Sequence, residues 1–132
     1  MEYVPYLAIV IAYSQIYLPR QVVTLEMRKL AGGYNNRDPR GQQQQLDGLG
    51  RRALGAHHNG FEAFAPFAIA VLACAQRGVR VELVAWLAIG FVVARFVYIA
   101  LYLADRALPR SIVWGVGMAA TSVLMIAAVV GR

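Results

Sequence analysis

The sequence predicts an all-α integral membrane protein: a four-transmembrane-helix up-and-down bundle, with residues 1–132 forming one membrane domain. Three observations predict it. Hydrophobic residues make up 59% of the chain and its mean hydropathy is +0.51, too apolar for an ordinary soluble domain. Four segments approach the roughly 20 mostly apolar residues that cross a bilayer as a helix. Only short connections separate them, apart from one polar loop, so neighbouring helices run antiparallel.

The first helix is expected over about residues 3–30. Its apolar run, from about Tyr3 to Leu25, is interrupted by Pro5, Pro19 and Arg20. The chain opens Met-Glu rather than with a basic region, and no small-residue cleavage site follows, so this segment reads as a retained span and not as a signal peptide. The stretch AGGYNNRDPRGQQQQLDGLG is rich in Gly, Asn, Pro and Gln, which marks a loop over about residues 31–46. The second helix is expected over about 47–76, with its apolar part from Ala53 to Ala75. A turn at Gly78-Val79-Arg80 leads to the third, over about 82–104. A break around Leu108-Pro109 leads to the fourth, over about 110–130, which carries no charge from Ser111 to Val130. No internal repeat is evident.

The formal charge of +6 is explained by topology. Arg28, Lys29, Arg37, Arg40, Arg51, Arg52, Arg106 and Arg110 place eight basic residues on one side, against Arg77, Arg80 and Arg132, three on the other. The positive-inside rule then puts the long loop in the cytoplasm and both termini outside it. No basic face interleaved with aromatics remains, which excludes nucleic acid as a partner. Cys74 is the only cysteine and lies in an apolar run, so an intrachain disulfide is excluded.

Polar residues inside the spans carry the functional signal. The stretch RRALGAHHNGFEAFAPF runs from Arg51 into the second span. At 100° per residue Arg51, Gly55, His58 and Glu62 share one stripe, with Asn59 beside it. Pro66 has no N–H for the Glu62 carbonyl, so a kink is expected there. On the third helix Arg95, Tyr98 and Tyr102 share a face. Antiparallel helices bring Glu62 and Arg95 to similar depth, and either charge alone in hydrocarbon costs about 3 kcal/mol. A Glu62–Arg95 ion pair facing the bundle interior is therefore expected. Only Glu62 lies near His57-His58, too few ligands for a metal, and none is expected. Nor is there a Ser-His-Asp arrangement, a phosphate-cradling glycine loop or a paired-carboxylate site. Arg51 and Arg52 suit lipid phosphates, and Trp86 and Trp114 suit interfacial or packing roles.

These residues resemble a known family. Ala56-His57-His58-Asn59-Gly60-Phe61-Glu62 followed by Pro66-Phe67 resembles the second-helix motif of the MAPEG family, the membrane-associated proteins in eicosanoid and glutathione metabolism. That motif runs Arg-Ala-His/Gln-x-Asn-x-x-Glu and ends in Pro-x-Phe or Pro-Phe. The pattern Arg95-x-x-Tyr98-x-x-x-Tyr102 is similar to the third helix of leukotriene-conjugating members. Helix count, the long first loop and Pro109-Arg110-Ser111 extend the likeness over nearly the whole chain.

The resemblance implies a bacterial-type member: a homotrimer in the inner membrane, with glutathione as cosubstrate bound between subunits near the cytoplasmic side. It implies glutathione-binding roles for Arg28, Arg52, His58, Asn59, Glu62, Arg95, Tyr98 and Tyr102. Arg110 and Ser111 resemble the pair that stabilises the glutathione thiolate in some members, with Arg106 a second candidate because loop length differs. A free thiol titrates near pH 8.5, and an adjacent arginine favours the thiolate, the actual nucleophile. The implied activity is that of a glutathione S-transferase or peroxidase, with a lipophilic small-molecule electrophile reaching the site through membrane lipid. One departure keeps a second reading open: Gly55 stands where the family commonly has Arg. Loss of that carboxylate clamp suits a noncatalytic or differently liganded membrane scaffold. A small transporter is a third class, although inverted repeats are absent.

Overall fold

A computed structural model describes residues 1–131; Arg132, counted above on the less basic side, lies outside the described residues. The described residues form six helices and no strand: α1 (Val4–Gln15), α2 (Tyr17–Lys29), α3 (Pro39–Gln43), α4 (Gly48–Gln76), α5 (Val81–Leu103) and α6 (Ala107–Val130). Three of them, α4, α5 and α6, are long and apolar enough to cross a membrane. The protein is an all-helical, multi-pass membrane protein.

The first expected helix is divided. α1 and α2, at 12 and 13 residues, meet at Ile16, which keeps helical dihedrals (φ −56°, ψ −34°). Pro19 explains the break, because it has no N–H to offer the carbonyl of Gln15 four residues earlier. The Ile16 N–H turns back to the Tyr13 carbonyl at 3.2 Å. The Ile16 carbonyl in turn accepts from His57 Nδ1 of α4 at 2.8 Å. A carbonyl only accepts, so that nitrogen carries the proton. By contrast α4 does not end at Pro66 and continues as one helix to Gln76.

Two further differences have local causes. The expected loop holds a helical turn, α3, capped where the Asp38 carboxylate accepts from Gly41 N–H at 2.9 Å and begun by Pro39, whose fixed φ suits a first turn. Gln42 from this turn accepts from Asn35 N–H (2.9 Å) and donates to the Gly33 carbonyl (2.6 Å), so the glutamine run folds the loop. α6 begins at Ala107, earlier than expected, and Pro109 falls in its first turn, where its missing N–H has no partner to lose.

Both tight connections close by the same backbone device. At the end of α4, Val79 N–H bonds Cys74 C=O (3.0 Å) and Gly78 N–H bonds Ala75 C=O (3.3 Å) around Gly78 at φ +68°. At the end of α5, Arg106 N–H bonds Leu101 C=O (2.9 Å) and Asp105 N–H bonds Tyr102 C=O (3.2 Å) around Asp105 at φ +58°. Asp is among the few residues that tolerate this left-handed geometry. Arginines from α4 and its C-cap satisfy the helix ends. Arg52 Nε donates to Leu103 C=O (3.2 Å) with Nη1 3.7 Å from the Asp105 carboxylate, and Arg77 Nε donates to Ala128 C=O (3.3 Å). Cations at helix C-termini are favoured by the helix dipole.

Packing rests on small residues and one stacked ring pair. α5 and α6 form the most extensive pair, α1 lies on α5 and α4, and α2 lies on α4. Ala8, Ala12, Ala63, Ala70 and Ala88 are buried in the core, where small side chains let helices approach closely. Phe67 and Phe91 stack there with centroids 3.8 Å apart. A Cβ on Gly60 would sit 3.3 Å from Ile16 Cγ1 and 3.4 Å from its Cα, so Gly60 sets how closely α4 meets the α1–α2 junction. Gly60→Val should overpack this contact and cost about 1–3 kcal/mol. Thermal unfolding in detergent would register it as a lower Tm. Gly90→Ala, where a Cβ meets nothing within 4 Å, should leave Tm unchanged or raised.

Candidate functional site

The turn at Asp105 folds α6 back along α5 and brings its first turn over the last turns of α5. The Arg110 guanidinium lies over the Tyr102 ring, 4.3 Å from its centroid. Tyr102 meets Tyr98 edge-on at 5.6 Å. A cavity of about 210 Å³ opens here, lined by Asn59, Tyr98, Tyr102, Arg110, Ser111 and Trp114. Ser111 is committed locally, its hydroxyl donating to Ala107 C=O at 3.1 Å. Arg110 is therefore the cation that the cavity offers an incoming anion.

A second, deeper layer sits beneath. Arg95 is only 5% exposed. Its Nη1 donates to Asn59 Oδ1 at 2.9 Å, and its guanidinium lies 4.2 Å from the Tyr98 ring centroid. The Asn59 amide in turn donates to Glu62 Oε2 at 3.0 Å. The expected Glu62–Arg95 ion pair is thus corrected: among the described residues no such pair forms, and Asn59 stands between the two charges. The facing of the two residues explains it. Asn59 is half-buried and bonds the Arg95 guanidinium, while Glu62, three residues on, lies on the exposed surface of α4.

The proposed site residues therefore divide. Asn59, Tyr98, Tyr102, Arg110 and Ser111 share the cavity, and Arg95 with Glu62 adjoins it through Asn59. His58 is exposed on the neighbouring face of α4, its ring 6.0 Å from that of His57. Arg28 is exposed at the end of α2 and does not line the cavity. Arg52 holds the end of α5, and Arg106 closes the turn through its backbone with its side chain exposed, so neither lines the cavity. Gly55 has a visible consequence: a Cβ there would collide with the Tyr102 hydroxyl, so the phenol occupies the space a larger residue 55 would need.

Three residues escaped sequence reasoning. Trp114, read as a packing or interfacial aromatic, lines the cavity while 42% exposed. It stands one helical turn after Arg110, which was the available signal. His57 latches α4 to the helix break at Ile16. Gln15 is buried at the end of α1 and donates to Val92 C=O at 3.0 Å.

The Asn59 relay predicts a stability pattern. Asn59→Leu removes a hydrogen bond to a buried cation and should cost about 1.5–3 kcal/mol. His58→Ala, at the exposed next position, should stay within about 0.5 kcal/mol. Thermal unfolding of both variants in detergent checks the contrast.

Comparison with curated proteins and with solved structures finds no match. The model of the MAPEG family matches residues 4–130, a range that opens on the first residue of α1 and closes on the last of α6; the chain belongs to the MAPEG family.

Proposed function

We propose that this protein is a membrane-bound glutathione-dependent transferase or peroxidase that activates the glutathione thiol for attack on a lipophilic electrophile. The observation that carries the reading is the cavity that joins Arg110 to Tyr98, Tyr102 and Asn59. A thiolate needs a cation beside the sulfur, and Arg110, half-buried over Tyr102, is the one the cavity supplies. The thiol loses its proton to solvent and the sulfur attacks the electrophile as the displaced group leaves; with a peroxide, the sulfur attacks one oxygen, the O–O bond breaks to release an alcohol, and a second glutathione converts the resulting sulfenic acid to the disulfide and water. Trp114, partly exposed beside the cavity, offers an apolar face to a substrate arriving from the bilayer. Asn59 and Glu62 are the polar groups suited to glutathione's amine and carboxylates.

In this reading four spans cross the inner membrane, the fourth being α1 and α2 taken together across Ile16. Both termini lie outside the cytoplasm, because the basic residues gather at the opposite end. The working unit is a homotrimer. Glu62 stands at the midpoint of α4, whose 29 residues outspan a bilayer core, and it is exposed on the single chain. A carboxylate facing lipid at that depth costs about 3 kcal/mol, and a second copy of the chain relieves this. The 210 Å³ cavity of one chain is also below the roughly 300–1,000 Å³ usual for small-molecule sites, as expected of a site completed by a neighbour.

One observation favours a differently liganded relative. The Tyr102 hydroxyl occupies the space beside Gly55, and among the described residues Arg110 alone lines the cavity as a cation. Calorimetric titration of the detergent-solubilised protein with glutathione separates the readings. Saturable binding that weakens in Glu62→Gln supports the enzyme; no heat at any concentration supports the scaffold.

Two outcomes follow for the enzyme. Arg110→Ala should lose one charge-assisted hydrogen bond to sulfur, about 1.5–3 kcal/mol, and so slow conjugation or peroxide reduction about ten- to a hundredfold with a smaller change in glutathione affinity. Native mass spectrometry from detergent should give three copies per particle. A monomer that still turns over glutathione would contradict the shared site.

A further inference from the structure

We infer that one water molecule is bound inside the bundle between α1 and α5, bridging the Gln15 side-chain oxygen and the Arg95 guanidinium. Gln15 is 3% exposed and Arg95 is 5% exposed. Among the described residues, Gln15 Oε1 and Arg95 Nη2 are both fully buried without a hydrogen-bond partner. Leaving two such atoms unsatisfied is costly and rare in native proteins. Both side chains line one small internal cavity, walled otherwise by apolar residues and Gly60 and offering about 10 Å³ to the centre of a water-sized sphere. That is about what a single water requires.

The chemistry of the two atoms selects the occupant. The Val92 carbonyl accepts from Gln15 Nε2, which fixes the amide with its nitrogen toward Val92 and leaves Oε1 as the free acceptor. Arg95 Nη2 can only donate. The occupant must therefore accept from one group and donate to the other. A cation is repelled by the guanidinium, chloride is repelled by the amide oxygen and is too large, and water satisfies both. Arg95 also borders a second cavity of similar size, lined by Ala63, Phe91, Trp114, Gly117 and Met118. Its other polar side-chain group is the Trp114 indole N–H, a donor like the guanidinium, so no side-chain oxygen there accepts from Arg95.

The bridge gives Arg95 a third support after Asn59 and the Tyr98 ring, and makes Gln15 a positioning residue for the polar relay. It depends on neither glutathione nor assembly. A structure at a resolution that shows ordered water tests it, on the wild type and on Gln15→Leu. The expected result is a single density peak within hydrogen-bond distance of Gln15 Oε1 and Arg95 Nη2, absent from the variant. A wild-type map with this cavity empty, or with Gln15 bonded directly to Arg95, overturns the inference. A double-mutant cycle in thermal unfolding reads the same link without crystals. The Tm loss of Gln15→Leu combined with Arg95→Met should fall short of the sum of the two single losses, leaving only the Gln15–Val92 bond independent of Arg95, and fully additive losses overturn the inference.

Discussion

A guanidinium enclosed within an apolar bundle is the constraint to which the rest of this structure answers. Arg95 lies well inside a 23-residue span and is almost fully withdrawn from the surface. Such a charge is tolerated only where hydrogen bonds and ring faces replace water. Asn59 and Tyr98 supply them directly. The packing that permits this is built from small residues. Gly60 admits the junction of α1 and α2 against α4, and the alanines of the core bring the neighbouring helices close. The polar interior and the glycine contacts are therefore parts of one arrangement.

Two layers follow from that arrangement, with different tasks. The deep layer, Arg95–Asn59–Glu62, ties α5 to α4 and lays the Arg95 guanidinium against the Tyr98 ring. The shallow layer is set by the turn at Asp105, which lays Arg110 across Tyr102 and forms the cavity wall with Ser111 and Trp114. Arg52 holds that turn from below by bonding the last carbonyl of α5. The proposed thiol chemistry belongs to the shallow layer, while the deep layer keeps its two walls in register. Membership of the MAPEG family is consistent with glutathione-related chemistry in a membrane, and the two layers give that chemistry residues in this chain.

Helix periodicity made much of this legible in the sequence, and the limits of legibility have physical causes. Faces could be assigned because residues three, four and seven apart must align on a helix, which placed Asn59, Tyr98 and Tyr102 toward a common interior. What periodicity does not specify is side-chain reach. Glu62 and Arg95 were matched by depth, yet Glu62 turns to the exposed surface and the half-buried Asn59 takes the contact. Proline gave an ambiguous signal for the same reason. Pro66 and Pro19 both remove a helical donor, but only at Pro19 does a side chain from another helix, His57, receive a neighbouring carbonyl at the break. The arginines looked like topology markers because their charge suffices for that, and nothing local shows that Arg52 and Arg77 also satisfy helix ends far away in the chain. Trp114 and Gln15 carried weak signals because a tryptophan or glutamine in a span acquires meaning only from what another helix places beside it.

The central claim is that Arg110 holds glutathione's sulfur in its charged form within this cavity. Ultraviolet absorbance of the thiolate, followed as the glutathione-loaded protein is titrated with acid and base, reads that claim without any assumption about the electrophile. The account predicts a bound thiol already ionised at neutral pH, with its midpoint well below the value near 8.5 of a free thiol, and a return toward that value when Arg110 is replaced by alanine. A bound thiol that titrates like the free one, with or without Arg110, would contradict it.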